Sequence, residues 1–127
     1  MSSLEEHIIS ILNKENIKFQ KEFTFKDLKN GKYRFDFYLE DKNILIEVQG
    51  AQHYEFSTLF QKKLDDFLKA QQRDRNKISY ALAHKIPLYI YPYFDMPQRG
   101  SDLFRKKYLA TNKYWNDEVW RNFKNKK

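Results

Sequence analysis

The sequence predicts an α/β fold: a mixed central sheet of about four strands flanked by helices. The order is helix, strand, hairpin, long helix, strand, followed by a helical C-terminal tail. Three observations carry this expectation. Residues 34–54 (RFDFYLEDKNILIEVQGAQHY) read as two short strands joined by a tight turn. Apolar residues recur at three- and four-residue steps before and after that stretch. A short apolar run, Pro87 to Tyr91, is bounded by prolines and suits a buried strand beside the hairpin.

Taken in order, the chain opens with a helix that Ser2 or Ser3 can cap. Glu5 and Glu6 fall in its first turn, where the helix dipole favours acids, and Leu4, Ile8, Ile11 and Leu12 form its apolar stripe. The pattern breaks at Asn13 to Asn16, and Ile17 to Phe25 alternates as a first strand. Lys26 to Lys32 is a polar loop containing Gly31. A long helix runs from Phe56 to about Lys85, with Phe60, Leu64, Phe67, Leu68, Ile78, Ala81 and Leu82 on its apolar side. Asp95 to Ser101 is a loop. From Asp102 onward, eight Lys or Arg stand against three acids and interleave with Phe104, Tyr108, Tyr114, Trp115, Trp120 and Phe123. Leu103 and Tyr108, then Trp115, Val119 and Phe123, are spaced as helix stripes that dock on the body. The same mixture also suits tracking of a nucleic-acid backbone with aromatic stacking.

The hairpin contains the chemistry. A turn at Asp41–Lys42 puts Tyr38 opposite Leu45, Asp36 opposite Glu47 and Arg34 opposite Gln49. Side chains alternate along a strand, so Phe35, Phe37, Leu39, Ile44, Ile46 and Val48 share a core face. The other face carries Arg34, Asp36, Tyr38, Leu45, Glu47 and Gln49. A one-residue slip would split the six-residue apolar face, which argues for this register. Directly opposed like charges are destabilising. Two carboxylates about 4 Å apart repel by roughly 4 kcal/mol at an effective dielectric near 20. A shared proton, a cationic side chain or a divalent metal must offset that. The plain alternative is a pair of solvated acids on an edge hairpin, with Arg34 as a surface partner.

Composition narrows the partners. The chain has 127 residues with 24 Lys or Arg against 17 Asp or Glu, a net charge of +7. That excess favours polyanions through counterion release. Absence of cysteine excludes a disulfide framework and cysteine zinc sites. No apolar run approaches 18 residues and no signal-peptide pattern appears, so the expectation is a cytoplasmic protein with no membrane partner. One domain, 1–127, is expected, with a core at 1–93 and a basic, aromatic-rich tail at 94–127.

Asp36, followed after ten residues by Glu47–Val48–Gln49, resembles the PD-(D/E)XK nuclease superfamily. It is most similar to small phage and bacterial proteins related to very-short-patch repair endonucleases. These show an F-D-F-Y-L strand followed by I-E-x-x-G-x-Q-H-Y, here Phe35–Leu39 and Ile46 to Tyr54. The resemblance runs from the first helix to about Tyr93 and implies a restriction-endonuclease-like core that hydrolyses DNA with Mg²⁺ or Mn²⁺. It assigns Asp36, Glu47, the Val48 carbonyl and Glu5 to the metal. It gives Gln49 and Lys77 catalytic roles, with Gln71, Asp74, Gln52 and His53 lining the site. Gln49 stands where the commonest pattern has Lys. On the long helix, Gln71, Asp74 and Lys77 form one stripe, and relatives point the same D-x-x-K at the active site, so Lys77 is the candidate replacement. Residue by residue the alternatives stay open: Glu5 as a helix cap, Asp74–Lys77 as a solvated i,i+3 pair, and His53 as the proton carrier.

Arg34, Arg73, Arg105, Lys106 and Lys107 are the expected DNA contacts. Ile90 replaces an Arg that relatives carry in that strand. A phage-type Holliday-junction-resolving or nicking enzyme is the favoured form, since the chain leaves no room for a separate specificity domain. A homodimer would let it cut two strands, whether phage-encoded or bacterial. The rival readings are a catalytically lapsed nuclease fold that binds nucleic acid, and a small structural protein using its aromatic tail.

Overall fold

The computed structural model describes residues 2–51 and 64–111. Ser2 caps helix α1 (Ser3–Lys14) through its hydroxyl, which accepts the Glu5 N–H at 3.1 Å and donates to the Glu5 carboxylate at 3.2 Å. The helix closes where Asn16 turns left-handed and the Ile17 N–H reaches back to the Leu12 carbonyl at 2.9 Å. Strands β1 (Gln20–Thr24), β2 (Arg34–Leu39) and β3 (Ile44–Gln49) then form an antiparallel meander. Helix α2 (Leu64–Ala83) leads to β4 (Leu88–Pro92), which pairs parallel with β3. The result is an α/β fold with one mixed sheet in the order β1-β2-β3-β4.

Near the turn the hairpin register is the expected one, with Leu39 paired to Ile44, Tyr38 to Leu45 and Phe37 to Ile46, but the ladder ends there and the expected Asp36–Glu47 and Arg34–Gln49 pairs are not part of it. The first strand is shorter than expected, because Ile17 and Phe19 lie before the ladder and pack against the α1 side instead. Of the long helix, residues 56–63 lie outside the described residues. Its stripe buries Phe67, Ile78 and Ala81, whereas Leu68 and Leu82 remain exposed. After β4 the chain forms two 3-10 turns, Gly100–Asp102 and Lys106–Tyr108, rather than the expected helix. Leu103 and Tyr108 nevertheless dock on the body, both buried, and the Tyr91 hydroxyl donates to the Leu103 carbonyl at 2.6 Å. Leu109 bridges to Tyr89, and the Ala110 N–H donates to the Leu88 carbonyl at 2.8 Å, which covers part of the free edge of β4. Residues 112–127, with Trp115 and Trp120, lie outside the described residues.

Two cores sandwich the sheet. On the α1 side, Ile8, Ile11 and Leu12 pack with Phe37, Leu39, Ile46 and Tyr91. On the α2 side, Ile78 and Ala81 pack with Phe35, Leu45, Leu88 and Ile90. The single apolar face expected of the hairpin is therefore divided, because Phe35 crosses to the side opposite Phe37. Residues two apart in a regular strand share a face, so the alternation breaks at Asp36. The β1–β2 ladder lapses at the same level. Lys21 pairs with Phe37 and Phe23 with Phe35, while Glu22, between them, adopts a left-handed φ of 52°. β1 switches sides with β2: Phe19 meets Phe37 edge-on at 5.6 Å, and Phe23 and Phe25 pack with the α2 side. The hairpin face bearing the acids is thus a second interior, which removes the reading of solvated acids on an edge strand.

Candidate active site

The site forms where this irregularity meets helix α2. Leu45 donates its N–H to the Pro87 carbonyl, and the Gln49 carbonyl accepts from Tyr93, so odd-numbered residues of β3 face β4. Even-numbered Val48 therefore turns its N–H toward β2. There it meets not a ladder carbonyl but the Asp36 carboxylate, at 2.7 Å. Loss of the ladder at Asp36 frees its side chain to enter the hydrogen-bonding line between the strands. The Val48 carbonyl lies on the same side, as both groups of one strand residue do.

Glu47, next along β3, is paired in the sheet with apolar Ile90 and is only 5% exposed. Lys77 reaches it from α2, with Nζ 3.1 Å from Oε1, and the lysine side chain is itself 15% exposed. Below the ammonium lies the ring of Phe35, its centroid 5.5 Å from Nζ. The crossing of Phe35 thus gives Lys77 an aromatic floor. Burial pushes the Glu47 carboxyl well above the ordinary carboxylate range, and the charges of Asp36 and Asp74 add to this while Lys77 opposes it. Asp74, one turn before Lys77, is buried, as is Gln49.

Of the expected site residues, the structure gathers Asp36, Glu47, Asp74 and Lys77 into one electrostatic cluster, with the Val48 N–H on Asp36. Gln49 lies two residues beyond Glu47 on the same side. Gln71 is half-buried one turn before Asp74. Glu5 serves the α1 cap. Gln52 and His53 lie outside the described residues. Arg34 is exposed and pairs with Glu22 at 3.2 Å, Arg73 is exposed on α2, and Lys107 pairs with Asp95 at 3.0 Å. Arg105 and Lys106 are exposed beside it, with Arg105 3.8 Å from Asp102. Among the described residues no three acidic or imidazole side chains converge closely enough to hold one ion between them.

Two features of the cluster escape sequence reasoning. One is the Phe35 floor, whose only trace is the interval from Phe19 to Phe23, where Lys21 interrupts the aromatic alternation. The other is the use of Val48 through its N–H, which no side-chain pattern encodes.

These features define a buried carboxylate–lysine centre on a four-stranded α/β sheet. No protein-family model matches the chain, and no curated protein matches it.

Proposed function

We propose that the protein is a metal-dependent DNA endonuclease of the restriction-endonuclease-like class, of junction-resolving or nicking type. The observation that carries this is the buried cluster itself. Glu47 carries the Lys77 ammonium at 3.1 Å and feels the charges of two further carboxylates, Asp36 and Asp74, in a place where unpaired charge is costly. With all three ionised the cluster carries two negative charges in excess, which is the charge of one divalent cation. Its donors are hard oxygens, which suit Mg²⁺ or Mn²⁺, and Mg²⁺ keeps several waters so two protein ligands suffice.

Asp36 and Glu47 would hold the ion, with the Val48 carbonyl beside them. When bound, the ion supplies an acidified water and charge neutralisation at the phosphate. Gln49 would orient the attacking water. Lys77 would stabilise charge on the phosphate, and the Val48 N–H fixes the Asp36 carboxylate. Ile90 and the apolar packing under α2 exclude bulk water, which strengthens each of these interactions. The net charge of +7 supports a polyanionic substrate. Among the described residues no helix is long and apolar enough to cross a membrane.

A second reading, a lapsed nuclease that only binds nucleic acid, draws support from two observations. Ile90 fills the position of an expected phosphate contact, and Lys77 already satisfies Glu47. The test incubates the full chain with supercoiled plasmid and branched DNA, in Mg²⁺ or EDTA, alongside Asp36→Ala and Glu47→Ala. Metal-dependent nicking lost in both variants is expected. Binding without cleavage in Mg²⁺ and Mn²⁺ would favour the second reading.

A further inference from the structure

The position of Lys77 implies more than charge balance. Its ammonium lies against Glu47, the carboxylate that the proposed function assigns to the metal, and the second assigned ligand, Asp36, acts on that same carboxylate through its charge. The ammonium is held on one side by Glu47 at 3.1 Å and on another by the Phe35 ring at 5.5 Å. A dication and an ammonium cannot share one carboxylate oxygen in a buried site without mutual repulsion. A lysine stem has four rotatable bonds, and Lys77 is partly open to solvent at 15%. It can therefore withdraw from Glu47 without unfolding α2.

We infer that Lys77 is an exchangeable internal counterion: it occupies the Glu47 carboxylate when no divalent ion is bound, and ion binding expels it toward the incoming phosphate. Resting on the nuclease reading, this deepens it. Between turnovers the ammonium offsets part of the site's negative charge, and the displaced lysine arrives at the substrate only once the metal is seated. The ion and the Lys77–Glu47 contact are then negatively coupled, so removing the ammonium tightens the ion.

The test titrates Mn²⁺ alone, by calorimetry at pH 8.5, into the full-length wild type and Lys77→Met. The variant is expected to bind Mn²⁺ about tenfold more tightly, within the usual range of site-to-site coupling. A parallel measurement needs no variant: acetylation of Lys77 by a water-soluble reagent, followed by mass spectrometry, with Lys107 as internal reference. Saturating Mn²⁺ is expected to raise Lys77 modification several-fold relative to Lys107. Equal or weaker Mn²⁺ binding in a folded Lys77→Met, or unchanged Lys77 acetylation, overturns the exchange and leaves the metal reading standing. Failure of the wild type to bind Mn²⁺ at all overturns both.

Discussion

Lys77 Nζ stands 3.1 Å from Glu47 Oε1, tying the middle of helix α2 to the centre of the sheet. The two residues are 30 positions apart in sequence, and both are largely withdrawn from solvent. Breaking a buried pair by removing one partner leaves the other charge uncompensated, typically at about 3–5 kcal/mol, whereas an apolar replacement of both can be neutral. Lys77→Ala is therefore expected to lower stability by about that amount, measured by urea unfolding. The double variant Lys77→Met, Glu47→Leu is expected to recover most of the loss.

The raised Glu47 carboxyl predicts a pH dependence. The folded state holds this proton more tightly than the unfolded chain, whose value is near 4.5. The stabilisation this supplies is complete below that value. It is lost as pH rises from 4.5 toward the folded-state value, with a slope of at most about 1.4 kcal/mol per pH unit for one proton. In Glu47→Gln this component is absent. Subtracting the two stability curves from pH 4 upward is expected to show the wild type losing ground with rising pH. A flat difference would count against the burial of an ionisable Glu47.

The Asp36 carboxylate accepts the Val48 N–H at 2.7 Å. Asp36→Ala leaves that donor without its acceptor at a cost of about 1–3 kcal/mol, while Asp36→Asn keeps an acceptor oxygen and loses less. Hydrogen exchange at the Val48 amide reports this locally: fast in Asp36→Ala, near wild type in Asp36→Asn.

Opposite the exchange of faces at Asp36, the Glu22 backbone is left-handed. Glycine adopts that conformation freely, so Glu22→Gly is expected to stay within about 1 kcal/mol of wild type. The exposed Arg34–Glu22 pair that it removes contributes little. A β-branched residue resists the conformation, and Glu22→Val is expected to destabilise by about 1–2 kcal/mol in a thermal melt.

Much of this arrangement is legible in the sequence, for identifiable reasons. The hairpin register follows from its turn and from the alternation of Phe37 and Leu39 against Ile44, Ile46 and Val48. The pairing of β4 with the hairpin follows from an apolar run too short for a helix. Lys77 stands out only through the resemblance of Asp74–Lys77 to a D-x-x-K pattern, since the stripe by itself reads as a solvated pair. Other features leave no such trace. The switch of Phe35 to the α2 side accompanies a left-handed backbone at Glu22 on the neighbouring strand, a residue type that gives no turn signal. The exposure of Leu68 and Leu82 reflects a contact stripe on α2 narrower than its apolar one. Leu103 and Tyr108 dock through 3-10 turns, because the chain there follows the sheet edge.

Cleavage of a labelled four-way junction and a supercoiled plasmid by wild type and Glu47→Gln, with Mg²⁺ and with EDTA, tests the central claim most directly. Cleavage confined to the metal-containing wild-type reaction, and at least about 100-fold slower in Glu47→Gln, is the predicted result. Equal cleavage by the variant, cutting that persists in EDTA, or tight binding with no cut strand would contradict it.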